Sequence, residues 1–322
     1  MSLNPLRWPH KVKLVVAFAT LYVVWGSTYL AIRVGLQAGL PPALFASSRL
    51  LPAGALLLGF ARLRGVPVRI PWRDYRTIAI VGLFLLVGGM YLLFVSEQTL
   101  PSGLAALIVA LLPLWIATGE SLVPGMDRPS PLGIVGLVIG FSGLGILMAP
   151  RVTGVNGTPK DLLVIGLLVF STWLWSTGTI VSKRFPVDVD GMVASGYQML
   201  TAGTVLLAIG LLSGEAPRYV LTAASTGAVA YLVVFGSCIA FTAFVWALRH
   251  APASKVMTYA YVNPVVAVFL GWAAGRVGLL SRPEPVDGWM LLGMAVIVAG
   301  VAITTTAPTR AGKPLAAEAP EA

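Results

Sequence analysis

The side chains in this chain that could do chemistry lie inside apolar runs, which narrows the chemistry to binding. Trp25, Ser27, Thr28 and Tyr29 form one cluster, and Trp173, Trp175, Ser176 and Thr177 form a second. Each of these joins an apolar body to one polar edge, which suits the wall of a pocket for small amphipathic molecules. The alternative is interhelical contact, with Ser and Thr bonding local backbone and Trp filling space. Spacings of three and four residues put Tyr22, Trp25 and Tyr29 on one helical face. Later in the chain come Tyr197, Gln198, Tyr259, Tyr261 and Asn263. The Asn263 amide is deep enough to need a partner in protein, water or ligand. Tyr197 and Tyr261 could pack between helices or sit at a lipid interface.

Arg49 is a charge within an apolar run, roughly 10 Å from the run's end at about 1.5 Å per residue. An arginine at such depth costs about 2.5–3.5 kcal/mol, so it must be paired or face water. Its candidate partners are a ligand carboxylate, backbone carbonyls and Glu97. No Asp or Glu lies in the first run or near the middle of any other, because Glu97 and Glu120 fall toward run ends. That argues for a neutral or zwitterionic ligand and against a cation/proton exchange cycle on one carboxylate, leaving coupling through Glu97 open. Pro113 and Pro264 each remove a mid-run donor and free the carbonyls of Val109 and Ala260. They are read either as hinges around a path or as packing kinks.

Catalysis would need more than this. The two histidines, His10 and His250, stand at run ends, and no His-Glu-x-x-His, phosphate-binding glycine loop or paired aspartates occur. Cys238 is the single cysteine, so no disulfide framework or thiolate cluster forms within one chain. Neither an enzyme nor a cofactor or metal is expected.

The elements that must position these residues are long and apolar. The chain of 322 residues is 57% hydrophobic and 11% charged, against about 25% charged in soluble proteins. Runs able to cross roughly 30 Å of hydrocarbon fall near 14–34, 42–60, 76–98, 101–123, 131–149, 161–183, 191–213, 226–248, 252–273 and 286–306. The expected fold is therefore all-α and integral to the lipid bilayer, with ten transmembrane helices. The intervening loops are too short to hold a soluble module. The first run is too long for a cleavable signal and lacks a small-residue cleavage pattern.

The formal charge of +10 is unevenly spread. With the N-terminus inside, fourteen basic residues fall on the inner side: Arg7, Lys11, Lys13, Arg62, Arg64, Arg69, Arg73, Arg76, Arg128, Lys183, Arg184, Arg249, Arg310 and Lys313. Six fall outside: Arg33, Arg151, Lys160, Arg218, Arg276 and Arg282. This bias predicts both termini in the cytoplasm and accounts for the basic balance with no nucleic-acid partner. The stretch 307–322, rich in Ala and Pro, is expected to be a disordered cytoplasmic tail.

The two halves repeat at an offset near 150 residues. Trp25-Gly26-Ser27-Thr28 answers to Trp175-Ser176-Thr177-Gly178, and Leu100-Pro101-Ser102 to Ala251-Pro252-Ala253. Pro113 answers to Pro264, and the glycine pair Gly136 and Gly143 to Gly293 and Gly300. Units of five spans, 14–149 and 161–306, enter the membrane from opposite sides because five is odd. They are therefore inverted repeats, a plan that favours a central site reachable from either face. Gly136-x-x-x-Gly140 allows close helix approach, read first as packing within the chain and second as a homodimer contact. A monomer or weak homodimer is expected. Asn156-Gly157-Thr158 matches a glycosylation sequon and is given no weight.

On these motifs the chain resembles the drug/metabolite transporter superfamily, specifically its ten-helix EamA family. The residues that carry the resemblance are Trp25–Thr28, Arg49, the Pro-Ser-Gly-Leu-Ala-Ala stretch 101–106 leading to Pro113, and Asn263-Pro264. The resemblance implies a bacterial inner-membrane exporter of a small-molecule substrate such as an amino acid or related metabolite. Cation or multidrug efflux and a non-transporting scaffold are the competing readings. Members of the family often carry Gly-Glu at the end of helix 9 where this chain has Gly275-Arg276, so no role of that glutamate carries over. Cavity candidates are Trp25, Ser27, Thr28, Tyr29, Arg49, Glu97, Trp173, Trp175, Thr177, Tyr259 and Asn263, with Pro113 and Pro264 as hinges.

Overall fold

The computed structural model describes residues 9–100, 105, 108–149, 158–276 and 288–310. Most of the 101–106 stretch, the loop with Asn156, and the tail from 311 onward lie outside the described residues. Helical stretches follow in order: α1 (His10–Gln37), α2 (Pro42–Leu63), α3 (Trp72–Glu97), α4 (Leu112–Leu122, with a turn before it), α5 (Pro131–Met148), α6 (Pro159–Arg184), α7 (Gly191–Leu212), α8 (Ala223–His250), α9 (Ala253–Val256 and Tyr259–Arg276) and α10 (Gly288–Thr306). Among the described residues α1, α2, α3, α6, α7 and α8 are long and apolar enough to cross a membrane, and α5 and α10 hold shorter apolar runs. The chain is an all-helical membrane protein.

Local sequence starts these helices. Pro42, Pro131 and Pro159 occupy first turns, where a missing N–H costs nothing. Thr158 and Asp161 cap α6 reciprocally at 3.2 and 3.1 Å, and Asp190 accepts from Met192 N at 2.8 Å at the start of α7. Two other starts are capped from far along the chain. Glu215 accepts from Leu44 N (2.9 Å) on α2, and Glu120 from Ala253 N (2.8 Å) on α9.

α1 and α3 begin about one turn before the expected runs, because the basic segments His10–Lys13 and Trp72–Arg76 are helical although they are not apolar. The runs near 101–123 and 252–273 were expected as single helices, and both are broken. The breaks fall at Ala110–Leu111 and Met257–Thr258, on the N-terminal side of Pro113 and Pro264. Pro113 consequently sits in the first turn of α4, where it frees no mid-helix carbonyl, whereas Pro264 lies inside α9.

α2 packs along α7, and α5 along α10. α3 meets α6 and α7, α8 meets α1 and α2, α4 meets α6, and α9 meets α1. The α5–α10 contact depends on glycine. A Cβ on Gly300 would run into the Gly140 backbone, and one on Gly136 would come within 2.9 Å of the Gly300 carbonyl. Gly136-x-x-x-Gly140 is thus used within the chain. Thr309–Arg310 pair antiparallel with Arg128–Pro129, so order persists past Ala307, where the tail was expected to begin.

The ends of α1, α6, α8 and α9 that carry His10, Arg184, His250 and Ala253 gather on one basic face. There Lys183 Nζ donates to the carbonyls of Leu248 (2.9 Å) and Ala251 (2.8 Å), and Lys255 Nζ to those of Thr305 (2.8 Å) and Ala307 (2.6 Å).

Candidate functional site

Seven helices, α1, α2, α3, α4, α6, α8 and α9, enclose a cavity of about 90 Å³. It is lined by Trp25, Thr28, Tyr29, Ile32, Arg49, Leu86, Gly89, Met90, Leu93, Phe94, Val109, Leu112, Ser171, Thr172, Trp175, Phe241, Tyr259 and Asn263. A water needs roughly 10–15 Å³, while drug-sized ligands occupy about 300–1,000 Å³. The cavity as it stands exceeds the space of a single water and falls short of a drug-sized site.

Three lining helices are locally wound as π-helix: Leu21–Trp25 in α1, Leu83–Tyr91 in α3 and Leu232–Phe241 in α8. Such winding is rare and recurs at functional sites, where it re-aims side chains and disturbs carbonyl pairing. Both effects are visible here. The π segments supply Trp25, Leu86, Gly89, Met90 and Phe241 to the lining, and side chains reach their carbonyls. Trp25 Nε1 donates to Gly236 O at 3.1 Å. The Asn263 amide, oriented from its hydrogen-bond network, donates to Leu21 O, Tyr22 O and Tyr259 O at 3.3, 3.2 and 3.1 Å. The deep amide therefore finds its partners in protein and straps α9 to α1.

Arg49 is 6% exposed and its Nε donates to Ser237 Oγ on α8 at 2.8 Å. The guanidinium lies against Gly236, where a Cβ would approach to 3.1 Å. Among the described residues its hydrogen-bond partner is this serine, where Glu97 or a backbone carbonyl was expected. Ser237 is neutral and fully buried. Among the described residues no carboxylate neutralises Arg49, and none lines the cavity. The result is a positive charge at the edge of an apolar chamber.

The floor of the chamber is aromatic. Trp25 meets Trp175, Phe244 and Tyr259 with ring centroids at 5.9, 5.2 and 4.7 Å, and Phe244 meets Trp175 at 5.7 Å. The Trp25 contacts with Trp175 and Tyr259 are edge-to-face, an arrangement worth about 0.5–1.5 kcal/mol each beyond area burial. Trp175 Nε1 is buried close to the Tyr259 hydroxyl, which it polarises, and makes no hydrogen bond of good geometry among the described residues. The hydroxyls of Thr28 and Thr172 donate to Trp25 O and Val169 O, both at 2.7 Å, and Thr172 Oγ1 also accepts from Trp115 Nε1 at 3.2 Å, so acceptor capacity remains chiefly on Thr28.

Of the candidates from sequence, the chamber gathers Trp25, Thr28, Tyr29, Arg49, Trp175, Tyr259 and Asn263. Ser27 bonds Val24 O and the Tyr231 hydroxyl beside α8 instead. Trp173 is 48% exposed and stacks on Phe170, and Thr177 returns its hydroxyl to Trp173 O on the same outer side of α6. Two residues along a helix turn a side chain about 200°, so Trp173 and Trp175 cannot both face inward. Glu97 lies at the far end of α3, within electrostatic reach of Arg33 and Tyr29, and does not line the chamber. Tyr197 and Tyr261 pack between elements, donating to Val68 O (2.9 Å) and Leu137 O (3.1 Å). The α3 wall from Leu86 to Phe94 and the Phe244 floor were not expected. The glycine pair Gly88-Gly89 is the sequence signal that could have marked that wall, since a Cβ on Gly89 would come within 2.7 Å of Trp175.

Comparison with known proteins agrees with this architecture. Residues 13–149 and 162–306 each match the EamA-like transporter family. The chain is 36% identical over 301 residues, 93% of each protein, to the uncharacterized inner membrane transporter YedA of Escherichia coli K12. It is 25% identical to the uncharacterized transporter YvbV of Bacillus subtilis 168 over 92% of each. A crystal structure of a protein 23% identical superposes with a TM-score of 0.75, covering 91% of this chain and 96% of that one. By family match and by identity, the chain belongs to the EamA-like transporter family.

Proposed function

We propose that this protein is an inner-membrane transporter moving small neutral or zwitterionic molecules, amino acids among them, by alternating access. The observation that carries the reading is Arg49, a buried guanidinium beside a small aromatic chamber whose lining, among the described residues, contains no carboxylate. One fixed positive charge in a low-dielectric wall favours a solute with one carboxylate and disfavours a cation. This ranks amino-acid-like solutes above multidrug or cation efflux. Outward direction follows from the family resemblance.

The proposed frame is ten spans in two inverted five-helix units, 14–149 and 161–306, with both termini cytoplasmic. Support comes from the helix contacts, which map onto themselves when each helix is exchanged for the one five places away. α3–α6 becomes α8–α1, α4–α6 becomes α9–α1, α3–α7 becomes α8–α2, and α2–α7 and α5–α10 are unchanged. The basic face would then be cytoplasmic. The breaks before Pro113 and Pro264 would serve as the hinges, and Gly-packed α5 and α10 as static support.

The test is uptake into proteoliposomes of labelled amino acids, nucleosides and quaternary amines, comparing the parent with Arg49→Met. Saturable amino-acid uptake, lost in the variant, is expected. Uptake of quaternary amines alone would overturn the reading, and a chain that moves nothing yet supports growth of its host would favour the scaffold.

A further inference from the structure

Beneath the aromatic floor, toward the basic face, lies a second cavity of about 330 Å³ between α3, α6, α7 and α8. Its lining includes Thr77, Val81, Ser182, Lys183, Gln198 and Arg249. Two of these carry positive charge. Lys183 spends two of its three donors on Leu248 O and Ala251 O, and Arg249 Nη1 donates to Val189 O at 2.7 Å. Glu120 and Asp127 act on Lys183, and Asp188 and Asp190 on Arg249, but none of these acids lines the cavity. Glu120 is moreover committed to the N–H groups of Ala253 and Ser254.

Gln198 is 4% exposed, and its Oε1 has no hydrogen-bond partner among the described residues. Leaving a buried acceptor unsatisfied is unfavourable, and the soft terminal torsion of the amide lets it turn toward a donor in the cavity. Lys183 and Arg249 therefore offer donors to an oxyanion, while Gln198 offers an acceptor to an N–H. Across the inverted halves, Gln198 on α7 stands one residue from the counterpart of Arg49 on α2 at the offset of 150.

We infer that the cavity lined by Lys183, Gln198 and Arg249 is a second solute site, on the basic-face side of the aromatic floor, that binds a carboxylate and an ammonium together. It rests on the transport reading above and deepens it, giving one solute class two successive stations separated by Trp25, Trp175, Phe244 and Tyr259.

The experiment uses the full chain with Cys238→Ala, which removes the single cysteine, and Ser182→Cys as a reporter in the lining. Maleimide labelling is measured with L-phenylalanine, 3-phenylpropionate or 2-phenylethylamine present, three solutes sharing one ring. L-Phenylalanine should protect best, the carboxylate alone more weakly and the amine not at all. Gln198→Leu should fold as well as the parent, since it deletes an unpaired acceptor, and should erase the advantage of L-phenylalanine over 3-phenylpropionate. Arg249→Gln should weaken protection by both about tenfold or more, the size of one charge-assisted hydrogen bond. Arg49→Met should leave protection intact.

Protection by the amine, protection lost in Arg49→Met, or no protection by any solute would overturn the assignment. Protection retained by a chain that transports none of the three would support the site and count against the transport reading alone.

Discussion

Arg49→Met separates a binding role from a structural one because the two predict different signatures. The substitution deletes the bond from Nε to Ser237, worth about 1.5–3 kcal/mol as a charge-assisted hydrogen bond. It also relieves a buried charge that costs about 2.5–3.5 kcal/mol to insert. These terms nearly cancel, so the thermal midpoint should move by only a few degrees. A solute carboxylate on the guanidinium would lose about 1.5–3 kcal/mol, a roughly 10- to 150-fold fall in affinity. The assay is equilibrium binding of the best-transported amino acid and of its carboxamide, to parent and variant, completing a double-mutant cycle between protein and ligand. A coupling of about 1.5–3 kcal/mol is expected, because the carboxamide should be nearly indifferent to Arg49. Equal losses for acid and amide, or a collapse in thermal stability with affinity unchanged, would show that Arg49 serves the fold and not a solute carboxylate.

Three further outcomes follow from the packing. Asn263→Ala strips a donor from the Leu21 and Tyr22 carbonyls of the α1 π segment and from Tyr259 O on α9, so it should cost about 1–3 kcal/mol of stability. A drop in affinity with no loss in melting temperature would show that the amide serves the solute instead. Gly300→Val should separate α5 from α10 and abolish a monodisperse peak on size exclusion, whereas Gly145→Val, with no atoms within 4 Å of its Cβ, should be silent. Trp175→Ala should cut uptake by breaking the floor, while Trp173→Ala on the outer side of α6 should leave it unchanged. Equal damage from both would mean that α6 is rotated relative to this structure.

Apolar run length was enough to place the helical stretches, six of which are long and apolar enough to cross a membrane among the described residues, because crossing hydrocarbon demands about twenty apolar residues whatever they pack against. Run length is blind to what happens at polar ends and at breaks. It missed the helical turn His10–Lys13, and it passed over Ala110–Leu111 and Met257–Thr258, where every residue is apolar or a lone Thr. Site residues were legible as a set and less so one by one. Trp173, Trp175 and Thr177 share a motif, and only the helical rotation assigns Trp175 to the chamber and the other two to the outside. The partner of Arg49 was hidden for a different reason. Ser237 lies 188 residues away on α8, and a serine next to a glycine looks the same in sequence whether it accepts from an arginine or bonds its own helix.

The distant caps bear on how the two halves could move. Glu120, from the first half, holds the start of α9, and Glu215, from the second, holds the start of α2. Each fastens one half to the other at a helix end, and replacing a helix cap costs about 0.5–2 kcal/mol. On the basic face Lys183 and Lys255 add four bonds to carbonyls at helix ends. Opening that face would forfeit several such bonds at once, more than a solute could repay unless it bound the open form better. For a protein that alternates, the two forms must lie within a few kcal/mol of each other. The open form must therefore make comparable bonds at the opposite face. Among the described residues, Glu97 and Arg33 lie within electrostatic reach of each other at that end of α3 and α1, and in a chain that alternates they would be candidates to make them.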